Sequence, residues 1–474
     1  MDKRLLEVDL CVIGAGSAGL SVAYGASHLG RSVVLFERDE MGGDCLNTGC
    51  VPSKALIKAA KVAQTQRDSA KFGVASVEPQ VDWTAVKAHI QGVIEQIAPV
   101  DSVERYEGFG VEVITEDARF EDERTVVSKT HIVRAKRFVV AAGSRASVPP
   151  IPGLADVPYL TNESIFSVPD FPSHLLIIGS GPIGLEMGQS FRRLGAQVTI
   201  IDIAEPLGRS DPDHAKVLID ALTAEGVDFR APAKTKAVSQ DADGSIRVAF
   251  EDADDLVGSH ILVAAGRRPN TDGLDLEKAN VKYDRGGIDT DAALRTSNPR
   301  IYAAGDIAAG KGGLTHAAGY HASALVKNLY YMPPGLGGLL AKATTDRMPA
   351  VMYTQPELGS IGAGHADAAK TVHFEFLEND RSIAERDTAG GLKLYLDAKG
   401  RIIGASCVGS IAGEIVNTVS LAMSAGAKLS DIAGMISPYP TRTEVVKRAA
   451  SSNYTDVIFG DRFKALSGFW TKFH

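Results

Sequence analysis

Short, wholly apolar runs alternate along this chain with longer segments of helical period. Asp9-Leu10-Cys11-Val12-Ile13 is such a run, brief enough for a strand and apolar almost throughout, as in a strand covered on both faces. It enters Gly14-Ala15-Gly16-Ser17-Ala18-Gly19. An alanine-rich helix is predicted to about Gly30, and Ser32-Val33-Val34-Leu35-Phe36 is the next strand, ending on Glu37. The order recurs downstream: Leu175-Leu176-Ile177-Ile178, then Gly179-Ser180-Gly181-Pro182-Ile183-Gly184, a helix, and Gln197-Val198-Thr199-Ile200-Ile201-Asp202. First glycine and acidic residue are equally spaced in the two copies. Each copy closes on a small-residue turn, Val140-Ala141-Ala142-Gly143 and Val263-Ala264-Ala265-Gly266, the latter followed by Arg267-Arg268-Pro269-Asn270. Ile301-Tyr302-Ala303-Ala304-Gly305-Asp306 adds a strand after the second closure. The chain is therefore expected to leave a first nucleotide domain, build a second and return. Beyond Thr345 the pattern changes: Val351-Met352-Tyr353, Gly391–Leu396 and Arg401–Ser406 read as strands, with helices from Ile411 and Leu429 and no phosphate loop.

The repeated turn has a specific physical content. Glycines let the backbone approach a pyrophosphate, the following helix presents its free N–H groups, and the acidic residue accepts from ribose hydroxyls. Two such units predict two dinucleotide sites. The fold class expected is α/β, with two Rossmann-like domains and a C-terminal α+β domain, over segments 1–150, 151–271, 272–345 (the return) and 346–474. A length of 474 residues suits about three domains. A formal net charge of -8 leaves no basic surplus for nucleic acid. No apolar run is long enough to span a bilayer, and Met1-Asp2-Lys3-Arg4 leads into a strand rather than an apolar leader, so a cytoplasmic protein is expected.

The four cysteines, Cys11, Cys45, Cys50 and Cys407, are too few for a disulfide scaffold. Cys11 and Cys407 lie in apolar stretches and are expected in the core. Cys45 and Cys50 lie in Gly42-Gly43-Asp44-Cys45-Leu46-Asn47-Thr48-Gly49-Cys50-Val51-Pro52-Ser53-Lys54, directly after Glu37 and hence along the first nucleotide. Pro52 suits the first turn of a helix, and a thiol near that N-terminus has a depressed pKa. Lys54, four residues after Cys50, adds positive charge on the same face. Gly49 permits the curl that would join the thiols in a redox disulfide. A metal site is the other reading of such a pair, but tetrahedral zinc usually takes two more ligands and no Cys/His cluster supplies them; no metal is expected.

With both fingerprints, the CxxxxC segment, Gly305-Asp306 and the C-terminal domain in this order, the chain closely resembles, over essentially its whole length, the pyridine nucleotide–disulfide oxidoreductases. This is the family of lipoamide dehydrogenase, glutathione reductase and mercuric reductase. The resemblance implies FAD on Gly14, Gly16, Gly19, Glu37, Gly43 and Gly143, with Asp306 at its ribityl–phosphate region and Leu314-Thr315 along the flavin's pyrimidine edge. It implies NAD(P)H on Gly179, Gly181, Gly184, Asp202 and Gly266. Asp202 would repel a 2′-phosphate, so NADH is expected over NADPH. Cys50 is implied as the thiol against the flavin, and Cys45 as the interchange thiol that attacks the outside substrate. Lys54 and Glu186 are implied as the ion pair where hydride arrives. A homodimer is implied, with a small-molecule or protein disulfide, or a thiol-bound soft metal ion, as substrate.

The chain also departs from the family. Disulfide-reducing branches carry a His-Pro with a glutamate five residues after the histidine, and across the dimer that histidine is the interchange thiol's acid–base partner. Here Glu444 is in place, but Tyr439 occupies the histidine position. A phenol titrates about 3.5 pH units above imidazole and is a poor base near neutrality, although it can donate a hydrogen bond. This tyrosine and Asp101–Tyr106 resemble the mercuric reductase branch, whose members end in a vicinal cysteine pair; here no cysteine follows Cys407. The chain reads as mercuric reductase-like without those delivery thiols. Dihydrolipoamide dehydrogenase is the alternative, and a flavin-bound regulatory protein without turnover is the alternative of another class. Asp44 replaces the family's usual threonine, which places a carboxylate near the FAD pyrophosphate, and it is expected on a local backbone donor. His316 and His321 are candidate substitutes for the missing base, with a helix cap or interface bond as the plainer reading. Phe463, Phe469, Trp470 and Phe473, with Arg462, Lys464 and Lys472 among them, are expected to pack in the dimer, with docking on a membrane or partner as the other reading.

Overall fold

Parallel pairing around one buried strand organises the N-terminal segment. The computed structural model describes residues 3–333 and 340–473. Strands Arg4–Ile13 (β1), Val33–Glu37 (β2), Val111–Thr115 (β3), Arg119–Asp122 (β4), Thr125–Val127 (β5) and His131–Val140 (β6) lie in the order β3-β2-β1-β6-β5-β4, and Ile301–Ala303 also pairs with β6. Leu10, Cys11 and Val12 are fully buried because β2 and β6 flank them in parallel and side chains leave both faces into core. β1 starts earlier than its apolar run. Arg4–Val8 pairs with His131–Ala135, so ladder hydrogen bonds extend the strand where hydrophobicity does not. Helix Ser17–His28 (α1) buries Ala18, Leu20, Val22, Ala23 and Ala26.

The second nucleotide unit repeats this plan. Ser144–Ala146 (β7) pairs antiparallel with Arg267–Pro269. Tyr159–Leu160 (β8), His174–Ile178 (β9) and Gln197–Ile201 (β10) join His260–Val263 in parallel, in the order β10, β9, His260–Val263, β8. An antiparallel ribbon of Thr235–Gln240, Ile246–Phe250 and Leu256–Gly258 is inserted before the closing strand. By packing, the chain divides into two compact units, Met1–Ile203 with Pro232–Thr345, and Ala204–Ala231 with Asp346–His474. Both glycine fingerprints fall in the first.

The second unit contains an antiparallel sheet in the spatial order Ala350–Met352, Glu357–Gly362, Ile402–Gly409, Gly391–Leu396, Lys370–Glu375. Helices Ala412–Ala425 and Glu444–Ile458 bury Ile415, Val416, Val419, Val445 and Val446 in a core shared with Leu392, Leu394 and Cys407. Glu357–Gly362 and Lys370–Glu375 went unread in the sequence. The first is glycine-rich because a Cβ at Gly359 would stand 2.8 Å from Val416 Cγ2, so strand-forming side chains were traded for a close helix. Asp211 fastens Pro212–Ala224 to this sheet. It accepts from Lys393 Nζ at 2.8 Å and Tyr395 Oη at 2.7 Å, and these bonds outweigh burial to hold its carboxyl at about 2. No residue of helix Asp461–Trp470 is buried, and Phe463, Phe469, Trp470 and Phe473 are exposed. Among the described residues no helix is long and apolar enough to cross a membrane.

Candidate active site

Two helix starts set the thiols. Gly43–Asn47 (α2) carries Cys45, and Cys50–Asp68 (α3) opens on Cys50. Between them the chain folds back so tightly that a Cβ on Gly49 would lie 2.7 Å from the Asp44 carbonyl oxygen. Asn47 fastens α2, donating through Nδ2 to the carbonyls of Met41 at 3.0 Å and Gly43 at 3.1 Å. Cys50 Sγ lies 3.2 Å from Thr315 Oγ1, the first residue of helix Thr315–Tyr330. The Cys50 sulfur therefore stands at two helix N-termini, each a region of partial positive charge.

The electrostatics separate the two thiols. The S–H of Cys45 hydrogen-bonds Cys50 and, with the Thr315 hydroxyl and the charge of Lys54, brings Cys50 down to about 6, against burial and Glu186. The same contact and burial push Cys45 well up. In the dithiol state the pair therefore holds one proton, on Cys45, and one thiolate, on Cys50. Thiolate absorbance of the reduced protein should rise by one equivalent with a midpoint of about 6, and Thr315→Val should move that midpoint up. A first equivalent appearing only near the free-thiol value of about 8.5 would refute this assignment. One turn into α3, Lys54 Nζ meets Glu186 Oε2 of helix Pro182–Arg193 at 2.9 Å, with the glutamate buried.

The two glycine turns match in detail. A Cβ on Gly14 would lie 2.5 Å from the Ala141 carbonyl oxygen, and one on Gly179 2.4 Å from that of Ala264. A Cβ on Gly19 or Gly184 would collide with the carbonyl oxygen of Gly14 or Gly179, at 1.8 and 2.0 Å respectively. A Cβ on Gly16 or Gly181 would meet nothing within 4 Å, so open space lies before each helix N-terminus, where neither helix has a side-chain cap. The acidic residues are held alike: Glu37 Oε2 accepts from the Ala15 N–H at 2.7 Å, and Asp202 Oδ2 from the Ser180 N–H and hydroxyl, both at 2.7 Å. Two uncapped helix starts, each with an anchored carboxylate at the neighbouring strand end, fit two dinucleotides. Gly143 and Gly266, at φ 64° and 112°, close the two strands. Their turns are tied together, Asn270 N–H donating to Gly143 and Ser147 N–H to Gly266, both at 3.0 Å.

A polar network crosses the first turn. Asp306 accepts from Ser144 Oγ and the Gly313 N–H, both at 2.7 Å. Arg267 Nε donates to Ser144 Oγ at 2.8 Å, and its Nη2 donates to the Ser144 carbonyl at 2.8 Å and to the Asp44 carboxylate. Asp44 thus pairs with a distant arginine, not with the local backbone donor expected of it. The sequence assigned Arg267 and Ser144 no role. The position of Arg267 after Gly266 was the available signal, with nothing to show that it turns inward.

Leu314 is the N-cap of helix Thr315–Tyr330, and His316 is exposed on its first turn. His321 is fully buried, its Nδ1 accepting from the Gly305 N–H at 3.1 Å, and burial lowers its pKa. It is a structural tie to the Gly305-Asp306 turn and no substitute base. Tyr439 and Glu444 belong to the second unit. Tyr439 is exposed and its hydroxyl donates to Asp380 Oδ2 at 2.8 Å, a bond that raises the phenol's pKa. Glu444 accepts from Arg448 Nε at 2.9 Å. Cys11 and Cys407 are fully buried, with their pKa values pushed far up by desolvation.

Comparison with known proteins agrees with this architecture. Residues 8–322 match the family model for pyridine nucleotide-disulphide oxidoreductases, and residues 348–450 match that family's dimerisation domain. Mercuric reductase of Bacillus cereus is 32% identical over 467 residues, covering 96% of this chain and 73% of that protein. Mercuric reductase of Streptomyces lividans is also 32% identical, over 95% and 97% of the two chains. Dihydrolipoyl dehydrogenase of Thermus scotoductus is 33% identical, over 95% and 98%. The Cu(II) complex of the HOCl-induced flavoprotein disulfide reductase RclA from Escherichia coli superposes with a TM-score of 0.83 at 25% identity, over 94% of this chain and 99% of that one. With its paired glycine turns, its two thiols at helix starts and these matches along nearly its whole length, the chain belongs to the pyridine nucleotide-disulphide oxidoreductases, as a flavoprotein disulfide oxidoreductase of the mercuric reductase and lipoamide dehydrogenase type.

Proposed function

We propose that this enzyme passes electrons from NADH through FAD to a Cys45–Cys50 disulfide and on to an external disulfide or a thiol-bound soft metal ion. In this reading segments 1–150 and 272–345 form the FAD domain, 151–271 the NAD domain and 346–474 the dimer interface. FAD would rest on Gly14, Gly16, Gly19, Glu37, Gly43, Gly143, Asp306, Leu314 and Thr315, where it supplies the two-electron relay between the nicotinamide and the disulfide. NADH would take the second turn, on Gly179, Gly181, Gly184, Asp202 and Gly266. The carboxylate of Asp202 disfavours a second anion beside it, hence NADH over NADPH.

The observation that carries the proposal is the unequal thiol pair, with Thr315 against Cys50 and the Lys54–Glu186 pair one turn away. Once reduced, Cys45 gives its proton to solvent and attacks a substrate disulfide. A Cys45–substrate disulfide forms, and one substrate thiolate leaves. Cys50 thiolate then attacks the Cys45 sulfur, restoring the intramolecular disulfide and expelling the second substrate thiolate. For a soft metal ion the two sulfurs are the ligands that receive it. In the dimer this reading places Tyr439 and Glu444 of one protomer beside its partner's thiols, where an exposed phenol can donate to a bound ligand but is a weak base. That asymmetry favours a mercuric reductase-like acceptor over lipoamide.

The test is anaerobic oxidation of NADH and NADPH against lipoamide, glutathione disulfide and mercuric ion held by excess thiol. The expected result is turnover with the thiol-bound ion ahead of either disulfide, and a kcat/KM for NADH at least about tenfold that for NADPH. Flavin reduction without turnover of any acceptor would overturn the acceptor assignment.

A further inference from the structure

The first glycine turn carries an excess of negative charge that the thiol chemistry does not explain. Gly43 sits against it: a Cβ there would lie 2.9 Å from Gly16 Cα, and the Gly42 N–H donates to the Ala15 carbonyl at 3.0 Å. The next side chain, Asp44, is therefore a carboxylate at a turn whose uncapped helix start is built to receive an anion. Asp306 is a second carboxylate of the same network. One cation is shared by both, since Arg267 forms an ion pair with Asp44 and lies 3.9 Å from Asp306. Its guanidinium is fixed in direction by Ser144, which accepts at both Oγ and the carbonyl, while Thr48 Oγ1 donates to the other Asp44 oxygen at 3.2 Å. Arg267 starts the strand that pairs with β7, so its backbone is anchored independently of these contacts.

We propose that Arg267 is the charge-compensating residue of the FAD diphosphate site, bridging Asp44 and Asp306 so that two carboxylates can stand where a diphosphate must bind. The inference rests on reading the first turn as the FAD site. Without Arg267, the Asp44 carboxylate would lack its cation beside the diphosphate, and like charges brought together in a partly buried site repel. Arg267 acts as a positioning residue through Asp44 and Asp306. Its effect should therefore depend on whether Asp44 is charged.

The experiment is FAD titration of the flavin-stripped protein, followed by flavin fluorescence, for the native protein, Arg267→Gln, Asp44→Asn and the double variant. Arg267→Gln should weaken FAD binding at least about tenfold, Asp44→Asn should bind at least as tightly as the native chain, and the double variant should return to within about threefold of native. An Arg267→Gln affinity within about threefold of native would overturn the proposal. So would a loss that Asp44→Asn fails to repair, including a drop in the flavin-free melting temperature that persists in the double variant, because that marks a merely structural arginine. A native chain that takes up no FAD would overturn the site reading itself, which is a different result from a native chain that binds while the variants break the pattern.

Discussion

Cys45→Ser is expected to lower acceptor turnover by at least about a thousandfold while NADH still bleaches the flavin absorbance. The two thiols cannot replace each other. Cys50 opens α3, touches Thr315 and is the thiolate of the pair, whereas Cys45 holds the shared proton. A serine at position 45 can still donate a hydrogen bond to Cys50, so the Cys50 thiolate should persist near its native midpoint. What disappears is the sulfur that bonds to the substrate in the proposed exchange, and a hydroxyl with a far higher pKa does not attack a disulfide or bind a soft ion. Rapid-mixing spectra with NADH, beside steady-state turnover with each acceptor, separate the two half-reactions. Undiminished turnover in Cys45→Ser would move the exchange role to Cys50. Loss of flavin bleaching would mean that the substitution damages the site as a whole.

Much of this site could be read in the sequence because its constraints are local. The glycine turns, their acidic partners and the CxxxxC segment each occupy a short window in which backbone geometry dictates residue type. What escaped the reading was decided by partners distant in the chain. Asp44 looked like a carboxylate in need of a nearby backbone donor, and its partner Arg267 is 223 residues away. Nothing in Arg267-Arg268 marks the first as the inward arginine and the second as the one that pairs with exposed Asp272. His321 shared a helix with His316 and invited a catalytic reading, but helical period points the two to different faces and buries one. The same limit applied to the fold. Both Rossmann strands were plain as apolar runs, whereas Glu357–Gly362 had given up its strand-like side chains to let Val416 approach.

Tyr439→His should raise disulfide turnover by about a hundredfold, the largest gain of function the structure suggests. Tyr439 is poorly suited to accept a proton, because its hydroxyl is already given to Asp380 at 2.8 Å and that carboxylate holds the phenol's pKa above its ordinary value. Imidazole titrates about 3.5 pH units lower than a phenol and accepts a proton near neutrality. With Asp380 beside it, the histidine's pKa should lie above its ordinary 6.5 or so, since the carboxylate favours the charged ring. The base is then available only above that raised value, so the rising limb of the pH–rate profile should fall near or slightly above neutrality. Tyr439→His with Asp380→Asn should shift that limb to lower pH. Turnover of thiol-bound mercuric ion should not gain in parallel, because the ion needs sulfur ligands and a hydrogen-bond donor more than a proton acceptor. A pH profile of kcat/KM with lipoamide, run beside the metal assay, reads both arms. Unchanged disulfide turnover would place Tyr439 away from the partner's thiols, and the acceptor preference would then have to come from the walls around Cys45 rather than from the missing base.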